Sequence, residues 1–262
     1  MSFLHLSLAS QILGVKTDVN ILLPDCAANR TVPDHGYQVL YLLHGYMGDY
    51  SDWIRYSLIE HYAAGKPLVV VMPDGGKSFY TDMVMGDRYW TYLSEELPGQ
   101  LDAYLRISKR RCDHFAMGLS MGAYGALKLG LAHPEQFQAV AGFSGVVDVA
   151  AFWGRQKETP NLIPFCTVPP DFRAIFGDVE RIKGSENDLY HLLKMVNLEN
   201  CPEIRLFCGT EDFLLEDNRN FHETAAGLGL PCHLETFGGG HEWEFWGKAL
   251  KKSFEILPFG RY

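Results

Sequence analysis

The sequence predicts an α/β protein, with a mostly parallel sheet, helices on both of its faces and a small cap inserted late in the chain. Three observations predict it. Short runs rich in Val, Leu, Ile and aromatic residues recur and close on Gly, Pro or Asp. Longer stretches with apolar residues at helical spacing separate those runs, the βα alternation of a sheet covered on both sides. The length, 262 residues, suits one large α/β domain better than two ordinary ones.

The elements follow in order. Strands are expected at 39–43 (VLYLL), 68–72 (LVVVM), 114–119 (HFAMGL), 139–143 (AVAGF), 204–208 (IRLFC) and 233–237 (HLETF). Helices are expected at 51–64, 92–107, 121–132, 217–228 and 242–256, where apolar residues return every three or four positions. Residues 149–197 break the rhythm: Pro160, Pro164, Pro169 and Pro170 interrupt them, and Trp153, Phe165, Phe172 and Phe176 supply aromatics. The stretch is too long for a simple connection, and an insertion after a strand's carboxyl end is placed to cover the ligand crevice. It reads as a cap whose aromatics, Trp153 and Phe176 foremost, contact substrate; the alternative is an excursion packed against the body.

The sharpest chemical signal is Gly118-Leu119-Ser120-Met121-Gly122, at the junction of the strand 114–119 and the helix 121–132. A serine at such a turn adopts a strained backbone, and the flanking glycines remove side chains that would collide with the neighbouring strand and helix. Ser120 Oγ is thereby raised toward substrate, and the N–H of Met121 points to where an oxyanion would form. A serine hydroxyl is a poor nucleophile near neutral pH, so it needs a base and an acid to orient that base. His241 follows Gly238-Gly239-Gly240 after the last strand, a loop able to carry a base over the sheet end. Among the other histidines, His61, His133 and His191 read as structural or exposed, and His44 as ordering its loop.

The acid is expected from Cys208-Gly209-Thr210-Glu211-Asp212, with Asp212 preferred to Glu211. Taken alone, Asp212 could be a turn or capping residue. The order Ser120, Asp212, His241 is that of the α/β-hydrolase fold, whereas chymotrypsin- and subtilisin-type enzymes use other orders. The second oxyanion donor is expected after strand 39–43, where Leu43-His44-Gly45-Tyr46 enters a glycine-bearing turn; the backbone N–H of Tyr46 is the candidate.

Composition excludes other classes. Hydrophobic residues make up 47% and charged residues 21%, ordinary for a globular protein, and the net charge of −9 with no basic block disfavours nucleic acid and anionic lipid. No apolar stretch is long enough to cross a bilayer, and MSFLHLSLAS lacks a basic start and a signal core, so a cytoplasmic location is expected. Cys26, Cys112, Cys166, Cys201, Cys208 and Cys232 are scattered and read as reduced thiols. The sequon Asn29-Arg30-Thr31 would matter only on secretion. No metal is expected: His241-Glu242 begins like H-E-x-x-H, but Phe245 stands where the second histidine is needed. No phosphate- or dinucleotide-binding glycine motif implies a cofactor. Gly75-Gly76 reads as a plain turn.

These residues resemble the esterase D family, which includes S-formylglutathione hydrolases and bacterial tributyrin, acetyl and feruloyl esterases, the tributyrin type being most similar. The resemblance rests on Leu42-Leu43-His44-Gly45, Tyr80-Thr81-Asp82, Glu95-Glu96-Leu97-Pro98, Gly118 to Gly122 with Tyr124-Gly125, Cys208 to Leu214, and Gly240-His241-Glu242-Trp243. It implies an α/β-hydrolase with Ser120, Asp212 and His241 as triad and Tyr46 and Met121 as oxyanion donors. S-formylglutathione hydrolases typically have a cysteine-bearing loop where this chain has Leu43 to Tyr46, and His where it has Leu119, so a glutathione thioester is less favoured. The expectation is a serine carboxylesterase acting on small-molecule, short-chain acyl esters, acetyl or butyryl, on sugar or aryl alcohols. A thioesterase, a feruloyl esterase and a non-catalytic binding member of the fold are the alternatives, and a homo-oligomer is left open.

Overall fold

The computed structural model describes residues 1–25, 32–159 and 171–260. Its parallel strands are β3 (Gln38–Leu43), β4 (Leu68–Pro73), β5 (His114–Leu119), β6 (Ala139–Phe143), β7 (Glu203–Gly209) and β8 (Cys232–Phe237). Two further strands, β1 (Ser2–Ala9) and β2 (Lys16–Leu23), add on antiparallel, giving one sheet in the order β1-β2-β4-β3-β5-β6-β7-β8. The apolar pattern of the sequence predicts no strand before residue 39. Along the edge strand β1, Leu4, Leu6 and Leu8 face inward while Phe3, His5 and Ser7 are exposed, a period of two spread over mostly half-buried positions.

The helices are α1 (Asp52–Tyr56), α2 (Ile59–Ala63), α3 (Tyr89–Thr91), α4 (Leu97–Tyr104), α5 (Met121–Ala132), α6 (Val149–Glu158), α7 (Phe172–Phe176), α8 (Leu189–Met195), α9 (Leu215–Gly227) and α10 (Trp243–Ile256). The expected helix 51–64 is two helices, because the chain is extended at Ser57, whose hydroxyl donates to Trp53 O (2.5 Å) and accepts from Ile59 N (3.2 Å). The expected helix 92–107 starts earlier, α3 passing through a π-helical turn, Tyr92–Glu96, into α4.

Alternation along the central strands sorts side chains into two cores. Val39, Tyr41, Leu43, Val69 and Val71 pack with residues of α4, α5, α6, α8 and α9 on one face. Leu40, Leu42, Leu68, Val70, Phe115 and Met117 pack with Trp53, Ile59, Phe245 and Leu250 of α1, α2 and α10 on the other. Every residue of β3 and β4 is buried, as strands covered on both faces require. Each fully buried aliphatic side chain contributes about 1.5–3 kcal/mol, so this double core holds the strand ends rigidly in place.

Between β6 and β7 lie α6, α7 and α8, within the segment expected to form a cap. Pro160, Pro164, Phe165, Pro169 and Pro170 of that segment, and with them Cys26, Cys166 and the sequon at 29–31, lie outside the described residues. Among the described residues Cys112, Cys201, Cys208 and Cys232 carry free thiols, and no helix is long and apolar enough to cross a membrane.

Candidate active site

The chain leaves β5 at Leu119 and enters α5 at Met121, and Ser120 makes the turn with φ 53° and ψ −114°, a conformation disfavoured for an L-residue. Two close approaches make that turn dependent on glycine. A Cβ at Gly118 would overlap the backbone of Gly122, and a Cβ at Gly122 would overlap the carbonyl groups of Leu43 and His44. The backbone N–H of Ser120 donates to Phe143 O at 2.8 Å, anchoring the turn to β6. Its side chain is consequently half-exposed at the carboxyl end of the central strands.

Asp212 and His241 come from the ends of β7 and β8, which are neighbours in the sheet. Thr210 N–H donates to Phe237 O at 3.0 Å and Glu211 N–H to Gly239 O at 3.1 Å, tying the two loops together. His241 Nδ1 stands 3.0 Å from Asp212 Oδ2 and Nε2 stands 3.0 Å from Ser120 Oγ. The Asp212 side chain is 0% exposed and that of His241 10% exposed. Burial pushes the Asp212 carboxyl up, but the hydrogen bonds from His241 and Leu214 N–H outweigh it and hold the group below the ordinary carboxylate range. Glu211 faces away from this line and accepts a hydrogen bond from Gly239 N–H at 2.5 Å.

The loop after β3 reaches the same place. A Cβ on Gly45 would lie 3.8 Å from the Cβ of Ser120 and 2.6 Å from Leu119 Cδ1, so the loop passes directly against the serine. Buried His44 fixes it: Nδ1–H donates to Gly45 O at 2.7 Å, and Nε2 accepts Gly75 N–H at 2.9 Å. Tyr80 O–H donates to His44 O at 3.0 Å. Gly75 therefore does more than turn the chain, since its amide holds His44. Tyr46 lies at the wall beside Ser120, and Met121 opens α5, where first-turn amides have no acceptor within the helix.

Ser120, His241 and Tyr46 line one cleft of about 510 Å³ with mainly aromatic walls, among them Phe79, Phe152 and Phe213. Trp153 and Phe176, expected to contact substrate, are not among its lining residues. Both are buried: Trp153 stacks on Phe172 at 5.7 Å between ring centroids, and Phe176 stacks on Phe172 at 6.0 Å and meets Phe79 edge-on at 5.7 Å. They back the wall, and Phe152 and Phe79 form its surface. A helix turns about 100° per residue, so α6 presents Phe152 to the cleft and Trp153 to the layer behind.

The profile of a protein family described as "Putative esterase" matches residues 10–256 of this chain. The chain belongs to this esterase family. The esterase is 29% identical over 264 residues to the acetyl esterase of Caldicellulosiruptor saccharolyticus, which covers 98% of both chains. Two solved structures from Staphylococcus aureus superpose on it over 98% of each chain. The fluorophosphonate-binding serine hydrolase FphF has a TM-score of 0.85 at 28% identity. The S-formylglutathione hydrolase FrmB has a TM-score of 0.82 at 29% identity.

Sequence reasoning missed several residues around the imidazole of this esterase. Phe213 lies 4.8 Å and Trp246 5.0 Å from the His241 ring, centroid to centroid, enclosing it from two sides. Phe213 directly follows Asp212, a signal available in the sequence. Trp246, in α10, and Ser144, after β6, carry no motif and reach the site only through packing.

Proposed function

We propose that the protein is a serine carboxylesterase that hydrolyses short-chain acyl esters through an acyl-enzyme on Ser120. The observation that carries this reading is the hydrogen-bonded line Asp212, His241, Ser120 at the wall of an apolar cleft. His241 Nε2 takes the hydroxyl proton as Ser120 Oγ attacks the ester carbonyl, and returns it to the departing alcohol. Asp212, kept ionised by hydrogen bonds from His241 and Leu214 N–H, holds Nδ1–H in place and stabilises the imidazolium. The N–H groups of Tyr46 and Met121 receive the negative charge that develops on the carbonyl oxygen. Water then repeats the sequence on the acyl-enzyme and releases the acid. No cofactor or metal enters these steps, and the substrate is a small molecule.

The likeness to an acetyl esterase over the full chain supports short acyl groups, as the tributyrin-type resemblance does, and the aromatic walls suit an apolar acyl or aryl portion. A thioesterase reading is favoured by the comparable likeness to FrmB. Against it, the described lining of the cleft contains two carboxylates, Asp52 and Glu242, and no lysine or arginine. That arrangement disfavours an anionic thioester such as that of glutathione. Segment 149–197 acts in this reading as a cap whose Phe152 touches substrate, and the enzyme works in the cytoplasm.

A fluorophosphonate probe should label Ser120 in the folded protein and fail to label Ser120→Ala. Specificity constants on acetyl, butyryl, feruloyl and formylglutathione substrates should rank the short-chain esters first. Dominance of the thioester would replace the reading with the second one, and absence of labelling would remove both.

A further inference from the structure

Phe79 and Tyr80, consecutive in the loop after β4, both have left-handed backbones, with φ 53° and 52°, and both are 1% exposed. Two such residues in a row persist only where the surroundings fix them. The fixing runs through Ser78, whose hydroxyl donates to Gly75 O at 2.6 Å and accepts Tyr80 N–H at 2.9 Å. The turn gives the two side chains separate tasks. Phe79 lines the cleft, and the Tyr80 ring lies between Gly75 and Gly125 of α5, where a Cβ on either glycine would overlap it. Seated there, Tyr80 O–H donates to His44 O at 3.0 Å. Burial raises the pKa of that hydroxyl well above its ordinary value, so it stays a donor.

His44 passes the constraint on to the next peptide. A backbone N–H only donates, so His44 Nε2, 2.9 Å from Gly75 N, is an acceptor and the ring proton sits on Nδ1. Asp74 Oδ1 stands farther from Nε2, at 3.7 Å. Nδ1–H donates to Gly45 O at 2.7 Å, and Gly48 N–H donates to the same oxygen at 3.0 Å. Gly45 C=O and Tyr46 N–H belong to one trans peptide, in which the two groups point in opposite directions. Holding the oxygen against His44 and Gly48 therefore turns Tyr46 N–H to the other side of the loop. We propose that Tyr80 and His44 are positioning residues for the oxyanion hole: Tyr80 O–H holds the carbonyl of His44, His44 holds that of Gly45, and Tyr46 N–H is thereby aimed at the carbonyl oxygen of an ester at Ser120. The second donor is tied to the same device through α5, whose first residue is Met121 and whose Gly122 packs against His44 O.

The proposal rests on reading the protein as a Ser120 esterase with Tyr46 N–H as an oxyanion donor, and the experiment separates the two. An acetate ester is compared with its thiono analogue, in which sulfur, a weak hydrogen-bond acceptor, replaces the carbonyl oxygen and gains little from the oxyanion hole. Tyr80→Phe keeps the ring and removes the hydroxyl. It should lower kcat on the ester about tenfold with KM little changed, less than the loss of a whole donor, because Tyr46 N–H is misdirected rather than removed. The ratio of ester to thiono-ester kcat/KM should fall by about the same factor. In His44→Asn the amide nitrogen stands near the place of Nδ1, where it can donate to Gly45 O; in His44→Gln it stands near that of Nε2. The ratio should therefore stay closer to wild type in His44→Asn than in His44→Gln. A merely structural role would slow both substrates alike and leave the ratio in place. An unmoved ratio in Tyr80→Phe, with Ser120 still labelled by a fluorophosphonate, overturns the proposal alone, whereas a wild type that is not labelled overturns the reading beneath it as well. Where Tyr80→Phe does not fold, equal ratios in the two His44 variants overturn the proposal.

Discussion

Phe152 and Trp153 are consecutive in α6, yet Phe152 faces the cleft, stacked near Phe213 at 6.4 Å, while Trp153 lies flat against Phe172 in the layer behind. Their substitution should separate recognition from stability. Phe152→Ala should reorder the specificity constants for acetyl, butyryl and feruloyl esters, with ratios changing by about 1–3 kcal/mol equivalents, while Ser120 remains open to a fluorophosphonate probe. Trp153→Ala should instead destabilise the fold by roughly 3–5 kcal/mol in denaturant titration and preserve the order of substrates. The reverse assignment of effects would place Trp153 at the substrate.

Replacing the reacting groups should remove turnover without unfolding the protein. Ser120→Ala deletes an atom that packs against little, and His241→Ala deletes the base. In Asp212→Asn the imidazole loses its charged partner and its preferred tautomer, so kcat should fall by about four orders of magnitude. Steady-state rates together with circular dichroism check all three, and near-normal rates in any variant would refute the assigned roles.

The pH dependence of activity follows from the protonation state each group needs. The base must be neutral, so the rate should rise with pH on the acidic side and then level off. Asp212 does not generate this limb, because its carboxyl is held below the ordinary carboxylate range and stays ionised throughout. For the same reason its stabilising contribution is present above the unfolded carboxylate pKa and is lost only as pH falls through the depressed folded value. A rate flat between weakly acidic and neutral pH would argue against histidine as the base.

Glycines divide into those the elbow requires and those it does not. Gly122→Ala drives a methyl group into the carbonyls of Leu43 and His44 and should cost about 1–3 kcal/mol or prevent folding. In α10, a Cβ at Gly247 meets nothing within 4 Å, so Gly247→Ala should stabilise the protein by about 0.4–1 kcal/mol. Thermal melts of the two variants should move in opposite directions.

Lys128, 1% exposed on α5, donates to Asn187 Oδ1 at 2.7 Å and lies 4.2 Å above the Trp90 ring. Burial lowers its pKa from 10.5 to about 8. The unfolded chain therefore binds the proton more tightly, and the cost of burying the charge, about 3 kcal/mol, is fully present below pH 8 and relieved as pH rises toward 10.5. Lys128→Met should remove that dependence. The stability of the variant minus that of wild type should shrink between pH 8 and pH 10. Taking the difference removes the opposing contributions of buried thiols such as Cys201 and tyrosines such as Tyr41, which are common to both proteins. A constant difference across that window would contradict the buried-cation account.

Much of the site is local in the chain, and that part is legible in the order of residues. The glycines around Ser120, the strand before it and the helix after it are neighbours in sequence, so the turn they form is set by steric rules acting over five residues. The succession of Ser120, Asp212 and His241 at strand ends follows from the same apolar runs and turn residues that define the strands. Local pattern thus dictates the fold class, the parallel strands and the residues from which a nucleophile, an acid and a base could come. How those residues are supported depends on contacts between distant segments. Strand order places Ser144 after β6 next to the end of β7, and the docking of α10 brings Trp246 to both Ser144 Oγ and the His241 ring, relationships that span up to 102 residues and have no local pattern. Packing also selects Phe152 rather than Trp153 to meet the cleft, because adjacent helical residues differ in direction and only the seating of α6 on its neighbours fixes which one points where.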